Sequence, residues 1–262
     1  MAILMCRPDH FGVEYEINPW MHVEQEVDRE RARSQWEALH AAYASLGQEV
    51  QVVEQAPGLP DMVFAANAAL VRNGTAVLAR FRHPERQGEE PLWRRALSDR
   101  GLKVVTVAPG VSFEGAGDAL FVGDRLFAGY GFRTDRASHA DVGRLLDTEV
   151  LSLRLVDPRF YHLDTCFCPL ADGVVMFAPE AFSPESARLV RRTVPHVIEV
   201  PTSIALDFIC NGVVVGDHLL SSTGVEKMDA SLHLEGLATT PFPMTEFMKA
   251  GGGVRCLTLE LD

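Results

Sequence analysis

Short apolar runs recur along the chain, each opened by a small or polar residue and divided by a turn containing glycine or aspartate. β-Branched and aromatic residues on both sides of such a turn predict a β-hairpin. The opening residues are separated by 51, 46 and 47 positions, and a further step of 45 reaches Cys256. Four hairpins are therefore predicted, at residues 67–78, 118–127, 164–177 and 211–220, with one last strand after Cys256.

Apolar residues at helical spacing fill the intervals between these hairpins. The unit is therefore hairpin, helix and strand, repeated five times, with residues 1–6 as the partner of the final strand. Five such units around an axis predict an α/β fold, a five-bladed propeller with pseudo-five-fold repeats. No linker interrupts them, so residues 1–262 are predicted to form a single domain. The predicted helices cover residues 24–46, 91–100, 137–146 and 184–193, and the strands that follow them include residues 51–53, 103–105 and 197–200.

Charge and cysteine usage narrow the class of protein. The formal net charge of −12 argues against nucleic acid and anionic membranes, whose phosphates would be repelled. No apolar run approaches the roughly 20 residues needed to span a bilayer. Five scattered cysteines fit a reducing compartment, and the N-terminus lacks the basic region and cleavage site of a signal peptide. We expect a cytoplasmic protein with no nucleic-acid or membrane partner, and a homodimer is the default assembly for such a chain.

The end of the chain carries a candidate nucleophile. Three consecutive glycines, residues 251–253, run towards Cys256, and an apolar strand follows. A glycine run lets the backbone approach a ligand closely, because no Cβ stands in the way. A cysteine after such a run is more often buried and inert, unless other reactive side chains converge on it.

The hairpin openings supply those side chains. If the openings converge on an axis, their polar residues share one pocket. Carboxylates there can hold the N–H groups of a guanidinium, and the bound cation or a nearby imidazolium favours a thiolate. A histidine can protonate a leaving amine and then activate water. Together these side chains predict nucleophilic attack by a cysteine on a planar cationic carbon. The residues of this set are Asn67, Glu114, Asp118, His162, Asp164 and Cys256.

Four segments carry a family resemblance, at residues 61–67, 113–118, 161–165 and 251–256. In this order and over nearly the whole chain, they resemble the guanidino-group-modifying superfamily, the amidinotransferases, arginine deiminases, dimethylargininases and arginine dihydrolases. The resemblance implies a pentein fold, which is a five-bladed α/β propeller, with no metal and no organic cofactor. It implies a covalent thiouronium intermediate on Cys256, with Glu114 and His162 as the catalytic pair. It also implies that Arg86 and Arg133 bind the α-carboxylate of the substrate.

One position separates members of that superfamily. Deiminases and dimethylargininases carry an aspartate where this chain has Asn67, whereas arginine dihydrolases have asparagine there. The segment at residues 15–21 also resembles arginine dihydrolases, in which an asparagine matching Asn18 lines the substrate site. An amide at position 67 can hydrogen-bond a ureido group, so that a citrulline-like intermediate is retained and hydrolysed again. The resemblance therefore implies conversion of arginine to ornithine, ammonia and carbon dioxide.

Other functions and sites stay open or are disfavoured. Removal of methylamines from methylated arginine is the nearest alternative, and an amidinotransferase is another. Ribosome anti-association factors resemble the architecture as binding proteins, but they lack the cysteine, histidine and glutamate set. A zinc site at His162, Cys166 and Cys168 lacks a fourth ligand at fitting spacing, so no metal is expected.

Overall fold

Five small sheets make up the part of the chain that the structure describes. The computed structural model describes residues 2–261; Met1, which the sequence assigns to the first strand, and Asp262 lie outside the described residues. Each sheet has three strands, of which two pair antiparallel and the third lies parallel to the middle one. The predicted α/β class and the fivefold recurrence of one unit are confirmed.

The first sheet joins the two ends of the chain. Strand β1 (Ala2–Cys6) lies between β2 (Glu49–Val53), to which it is parallel, and the last strand, β15 (Leu259–Leu261), to which it is antiparallel. In that antiparallel pair Leu4 lies opposite Leu259. The predicted pairing of the N-terminal strand with the final strand is therefore confirmed.

The other four sheets follow in chain order, each as a hairpin and a parallel third strand. The hairpins begin within three residues of the predicted openings. Their strands are β3 (Ala69–Arg72), β4 (Thr75–Leu78) and β5 (Lys103–Thr106); β6 (Ala119–Val122), β7 (Arg125–Tyr130) and β8 (Val150–Arg154); β9 (Phe167–Ala171), β10 (Val174–Phe177) and β11 (His196–Glu199); and β12 (Val213–Val215), β13 (His218–Ser222) and β14 (Ala238–Phe242).

A helix connects the middle strand of each sheet to its parallel third strand, as parallel pairing requires. The connecting helices are α1 (Arg29–Ser45), α3 (Glu90–Ser98), α5 (Ser138–Leu146), α6 (Pro184–Thr193) and α8 (Asp229–Leu234). Shorter helices are α2 (Pro84–Gln87), α4 (Gly115–Asp118), α7 (Thr202–Ala205) and α9 (Thr245–Met248), and single 3₁₀ turns lie at Pro60–Val63, Ala65–Ala68, Leu163–Thr165, Pro179–Ala181 and Val225–Met228.

Capping residues decide where the helices begin. The Ser183 side chain accepts from the Ser186 N–H and Pro184 occupies the first turn, so α6 has the predicted bounds. Helix α1, in contrast, begins five residues later than predicted. Asp28 accepts from the Arg31 N–H at 3.0 Å, and its own N–H donates to Glu246, so the chain before it is held out of the helix.

Three apolar clusters fill the spaces between sheets and link them in series. One joins the sheet of β1 to those of β3 and β6, a second joins those of β6, β9 and β12, and a third joins β12 back to β1. This packing brings together the N-terminal ends of the outer antiparallel strands of the five sheets, which are β3, β6, β9, β12 and β15. Within residues 2–261, no helix has the length and apolar character needed to cross a bilayer.

Candidate active site

The residues that open the five hairpin or strand segments lie in one buried region. Asn67 and Asp164 sit in 3₁₀ turns, Asp118 ends α4, and Asn211 and Cys256 precede β12 and β15. All five are at most 2% exposed. The fold thus brings the predicted residues at positions 67, 118, 164 and 256 together, and adds Asn211.

The Cys256 thiol lies between a carboxylate and an amide. Its Sγ is 3.3 Å from Asp164 Oδ2, to which the thiol donates, and 3.1 Å from Asn211 Nδ2, from which it accepts. Burial, and after it the negative charge of Asp164, raises the pKa of the thiol well above its usual value. In the free protein Cys256 is therefore a thiol, and a bound cation is what would favour the thiolate.

The carboxyl of Asp164 is also out of water. Burial raises the pKa of Asp164 to about 7, against the opposing effects of Cys256 and Arg255. Its Oδ1 is buried and has no hydrogen-bond partner in the structure. A buried carboxylate oxygen without a partner is rare, so this atom is placed to receive an N–H group from a ligand.

The raised pKa of Asp164 predicts a stability cost that depends on pH. Between about pH 4, where an unfolded aspartate titrates, and about pH 7, the folded protein keeps a proton that the unfolded chain releases. The free energy of unfolding contributed by this group therefore falls as pH rises through that window. Asp164→Asn should match the wild type near pH 4 and be more stable at pH 8, by at most about 4 kcal/mol. Urea unfolding at both pH values tests this; an equal difference at the two would contradict it.

A second cluster surrounds His162. Its Nε2 is 2.8 Å from Glu114 Oε2, which also accepts from Arg133 Nη1 at 3.0 Å. Burial alone raises the pKa of Glu114, but the Arg133 guanidinium and the hydrogen bond from His162 outweigh it and hold the pKa below its usual range. Glu114 is thus an ionised acceptor, so Nε2 carries a proton and Nδ1 is the atom available for proton transfer.

Asp118 lies close to the same histidine. Its Oδ1 accepts from the Leu163 N–H at 3.0 Å, and its Oδ2 is 4.0 Å from His162 Nε2. Burial raises the pKa of Asp118 to about 6, although His162 and other partners lower it. This carboxyl therefore fixes the turn that carries His162 and adds to the acidic surroundings of the ring.

Asn67 is held by an arginine from the neighbouring helix. Arg86 Nη1 donates to Asn67 Oδ1 at 2.8 Å, and the same guanidinium donates to both carboxylate oxygens of Glu89 and to the Asp61 carbonyl. The Asn67 Nδ2 is buried without a partner. A Cβ at Gly117 would lie 2.2 Å from that nitrogen and 3.4 Å from His162 Nδ1, so only glycine leaves room for both.

The edge of the site is built by Asn18 and the glycine run. Asn18 Nδ2 donates to the Ala250 carbonyl at 3.1 Å, and Tyr161 Oη donates to the Gly251 carbonyl at 2.7 Å. Gly251 has a φ of +83°, which favours glycine. Arg133 packs over the Tyr161 ring at 4.8 Å and donates to the Ile17 carbonyl. The loop before Cys256 is therefore held by the two segments that the sequence singles out around residues 18 and 161.

Both arginines predicted to bind a carboxylate are engaged by protein groups here. Arg86 makes the four hydrogen bonds given above, and Arg133 donates to Glu114 and to the Ile17 carbonyl. Each is 2% exposed. A ligand carboxylate would therefore have to replace or share existing hydrogen bonds, and the role of Arg86 and Arg133 stays a prediction.

Sequence reasoning missed three residues of this region. Asn211 occupies the fourth hairpin opening, so the same spacing that selects Asn67 and Asp164 could have selected it. Glu89 and Asp61 lie outside the repeat positions. Asp61 belongs to the segment 61–67 and Glu89 follows Arg86 by three residues, but only the fold shows that both contact the Arg86 guanidinium. Within residues 2–261, no group of three or more histidine, cysteine, aspartate or glutamate side chains is placed to hold a metal ion.

Comparison with known proteins shows the family of this chain. A family model described as "N,N dimethylarginine dimethylhydrolase, eukaryotic" matches residues 7–262. The chain belongs to this family. The resemblance to the guanidino-group-modifying superfamily, including its arginine dihydrolase and dimethylargininase members, is confirmed.

Two relatives of this chain are named for different activities. The chain is 46% identical to the bifunctional arginine dihydrolase/ornithine cyclodeaminase ArgZ of Synechocystis, over 100% of this chain and 38% of that protein. It is 41% identical to the N(G),N(G)-dimethylarginine dimethylaminohydrolase of Mycobacterium tuberculosis, over 98% of this chain and 84% of that protein. The chain therefore spans less than half the length of ArgZ.

A solved structure from the same family superimposes closely. The N-terminal domain of ArgZ, as a mutant bound to substrate and described as an arginine dihydrolase from the ornithine-ammonia cycle in cyanobacteria, has a TM-score of 0.95 and 45% identity. The match covers 98% of this chain and 97% of that one. The family fold thus extends over nearly all of the described residues.

Proposed function

We propose that this protein is a cofactor-free hydrolase that converts arginine to ornithine, two ammonia and carbon dioxide, with two water molecules consumed. The geometry supports this proposal through a buried thiol, a histidine held by an ionised glutamate, and unpartnered polar atoms facing one region. The activity named for ArgZ, at 46% identity, supports the same choice of substrate.

The orientation of the Asn67 amide is the observation that carries the second hydrolysis. A guanidinium has no acceptor, so the amide atom that faces Arg86 must be the oxygen. The amide nitrogen is thereby turned away from Arg86, buried and unpartnered. A substrate guanidinium offers only donors and gains little from this nitrogen, whereas the carbonyl oxygen of a ureido group accepts from it. The site is therefore suited to retaining a citrulline-like intermediate.

The first half-reaction begins when the guanidinium binds between the carboxylates. The Cys256 proton passes to Asp164 Oδ2, the acceptor 3.3 Å from Sγ, and the thiolate attacks the guanidino carbon. His162, as an imidazolium stabilised by Glu114, gives its Nδ1 proton to the departing amine, which leaves as ammonia. The C–N bond is broken and a C–S bond is formed, giving the thiouronium intermediate.

The second half-reaction uses the same groups in reverse. Water gives a proton to His162 Nδ1 and its oxygen adds to the thiouronium carbon. The C–S bond breaks, and the sulfur takes the proton of the added hydroxyl, so that a ureido product remains in the site. The proton that Cys256 gave to Asp164 leaves with ammonia as ammonium. A second round on the ureido carbon consumes the other water and releases the second ammonia, carbon dioxide and ornithine.

Product analysis with Asn67→Asp tests the proposal. The wild type should yield ornithine with about two ammonia per arginine, whereas Asn67→Asp should release mainly citrulline, because a carboxylate repels the ureido oxygen and pairs with the guanidinium instead. Asn73→Asp is the matched control, since Asn73 lies in the turn of the same hairpin, with a φ of +50°, outside the site. Unchanged products in Asn67→Asp would sink the role of the amide.

Dimethylarginine hydrolysis is the second candidate. The family model and the Mycobacterium tuberculosis relative, at 41% identity, favour it. The same assay separates the two, because dimethylarginine would then yield citrulline and dimethylamine while arginine yields no ornithine. An amidinotransferase would need an acceptor amine in place of water and would release no free ammonia in the presence of that amine.

We further propose the arrangement of the whole chain. The three apolar clusters link the five sheets in a closed series, which supports a five-bladed propeller built from residues 1–262 as a single catalytic domain. All five cysteines are buried and unpaired, which supports a cytoplasmic location. A homodimer stays a prediction, with light scattering as its test.

A further inference from the structure

Asn211 contacts the sulfur of Cys256, which is the nucleophile in the proposed function. Its Nδ2 lies 3.1 Å from Cys256 Sγ and 3.1 Å from the Asp164 backbone carbonyl. Its Oδ1 accepts from the backbone N–H groups of Arg255 at 3.0 Å and of Cys256 at 3.2 Å. Asn211 is fully buried, so each of these contacts is made away from water.

The partners leave only one orientation for this amide. A backbone carbonyl only accepts, so the atom facing Asp164 is the nitrogen; two backbone N–H groups only donate, so the atom facing Arg255 and Cys256 is the oxygen. One of the two nitrogen-bound protons is used by the Asp164 carbonyl. The other is directed at Sγ, and it makes the sulfur an acceptor whichever protonation state it has.

We propose that Asn211 is a further residue of the catalytic centre: it donates a fixed hydrogen bond to Cys256 Sγ that stabilises the thiolate, and it ties the nucleophile to the Asp164 turn. This inference rests on Cys256 being the nucleophile of the proposed function. Burial and the charge of Asp164 both oppose ionisation of the Cys256 thiol. The hydrogen bond from Asn211 Nδ2 to the sulfur acts in the opposite direction and favours ionisation. A hydrogen bond to a charged group is stronger than one to a neutral group, so it favours the thiolate over the thiol.

Asn211 also explains how a nucleophile from one sheet is aligned with a carboxyl from another. Asp164 precedes β9 and Cys256 precedes β15, and Asn211, before β12, contacts the backbone of both. The thiol-to-carboxylate distance of 3.3 Å is thereby set by one side chain. Removal of the amide should affect both the ionisation of the sulfur and its alignment.

The test is the pH dependence of Cys256 alkylation by iodoacetamide, in the intact chain and without substrate. Asn211→Ser removes the amide donor without adding a charge, because its hydroxyl is shorter than the amide. For Asn211→Ser the midpoint of the alkylation profile should move up by about one pH unit or more, since a lost hydrogen bond to a charged group changes ionisation about tenfold or more. Asn211→Asp keeps the size and the Oδ1 acceptor and should move the midpoint further, because its carboxylate also adds a negative charge beside the sulfur.

A matched control separates this role from a structural one. Ser221 is fully buried in β13 of the same sheet and donates to the Ile209 carbonyl at 2.7 Å, without contact to Cys256. Ser221→Ala should lower the melting temperature and leave the alkylation profile unchanged. In Asn211→Asp, kcat on arginine should fall at least tenfold with a smaller change in KM. A folded Asn211→Ser with the wild-type alkylation profile would overturn the proposal.

Failure of the proposed function has a different signature. If the wild type turned over no arginine while Asn211→Ser still shifted the alkylation profile, the substrate would be wrong and the role of Asn211 towards the thiol would stand. If arginine were hydrolysed and the profile did not shift, the proposal for Asn211 would fail alone.

Discussion

Replacement of Cys256 by serine is expected to lower kcat on arginine by about 10⁴-fold or more. Serine is nearly isosteric, but its hydroxyl is far harder to ionise than a thiol, and neither Asp164 nor Asn211 can compensate for that. The covalent half of the reaction is then lost, while the site that holds the substrate remains. Isothermal calorimetry should accordingly detect arginine binding by Cys256→Ser in the absence of turnover.

Mass spectrometry of acid-quenched reactions gives a direct check on the nucleophile. The wild type should show an adduct on the peptide that contains Cys256, and Cys256→Ser should show none. Cys168→Ala is the matched control, because that thiol is also buried and donates to the Pro169 and Gly212 carbonyls instead of contacting Asp164 and Asn211. An adduct on another cysteine, or turnover by the serine variant, would remove Cys256 from the mechanism.

The second large effect is expected at His162. His162→Gln should lower kcat by roughly 10²–10⁴-fold, the usual contribution of general acid–base catalysis. The ring contacts Glu114 Oε2 through Nε2, and its Nδ1 is buried without a hydrogen-bond partner, so this second nitrogen is the one expected to exchange a proton with the substrate. Alkylation of Cys256 should persist in the variant, since the hydrogen-bond partners of the thiol are Asp164 and Asn211.

A second buried histidine offers the comparison. His139 on α5 contacts Ser152 Oγ at 2.7 Å and the Gly129 carbonyl at 3.3 Å, and burial lowers its pKa to about 4. His139→Gln should reduce thermal stability and leave kcat close to the wild-type value. Comparable losses of kcat in the two variants would mean that His162 acts through folding and not through proton transfer.

Most of the secondary structure was predictable because its signals are local. Helix α6 has the predicted bounds, since a serine cap, a proline and an apolar stripe coincide there. Helix α1 was predicted five residues too long at its start, because apolar spacing continues past a cap whose effect depends on Glu246, far along the chain. Helix α8 and strand β14 lacked a distinct pattern, because the helix has only six residues.

The sequence predicted which residues form the candidate site better than it predicted the contacts among them. Repeat spacing selected Asn67, Asp118, Asp164 and Cys256, and the fold places all four in one buried region. Asn211 shared the spacing but was passed over, since an amide carries neither charge nor nucleophile and its value lies in the sulfur that it contacts. Glu89 follows Arg86 by three residues, a spacing that brings side chains together, but that Arg86 also donates to Asn67 is decided only when α2 packs against the Asn67 turn.

The sequence by itself determined the fivefold unit, the pairing of the first and last strands and the family, because periodicity and short motifs can be read along the chain without knowledge of its contacts. Tertiary structure decided which way the Asn67 and Asn211 amides face, that Glu114 is ionised against Arg133, and that the thiol donates to Asp164. Those choices follow from hydrogen-bond direction and burial between residues 19 to 92 positions apart, which no local pattern encodes.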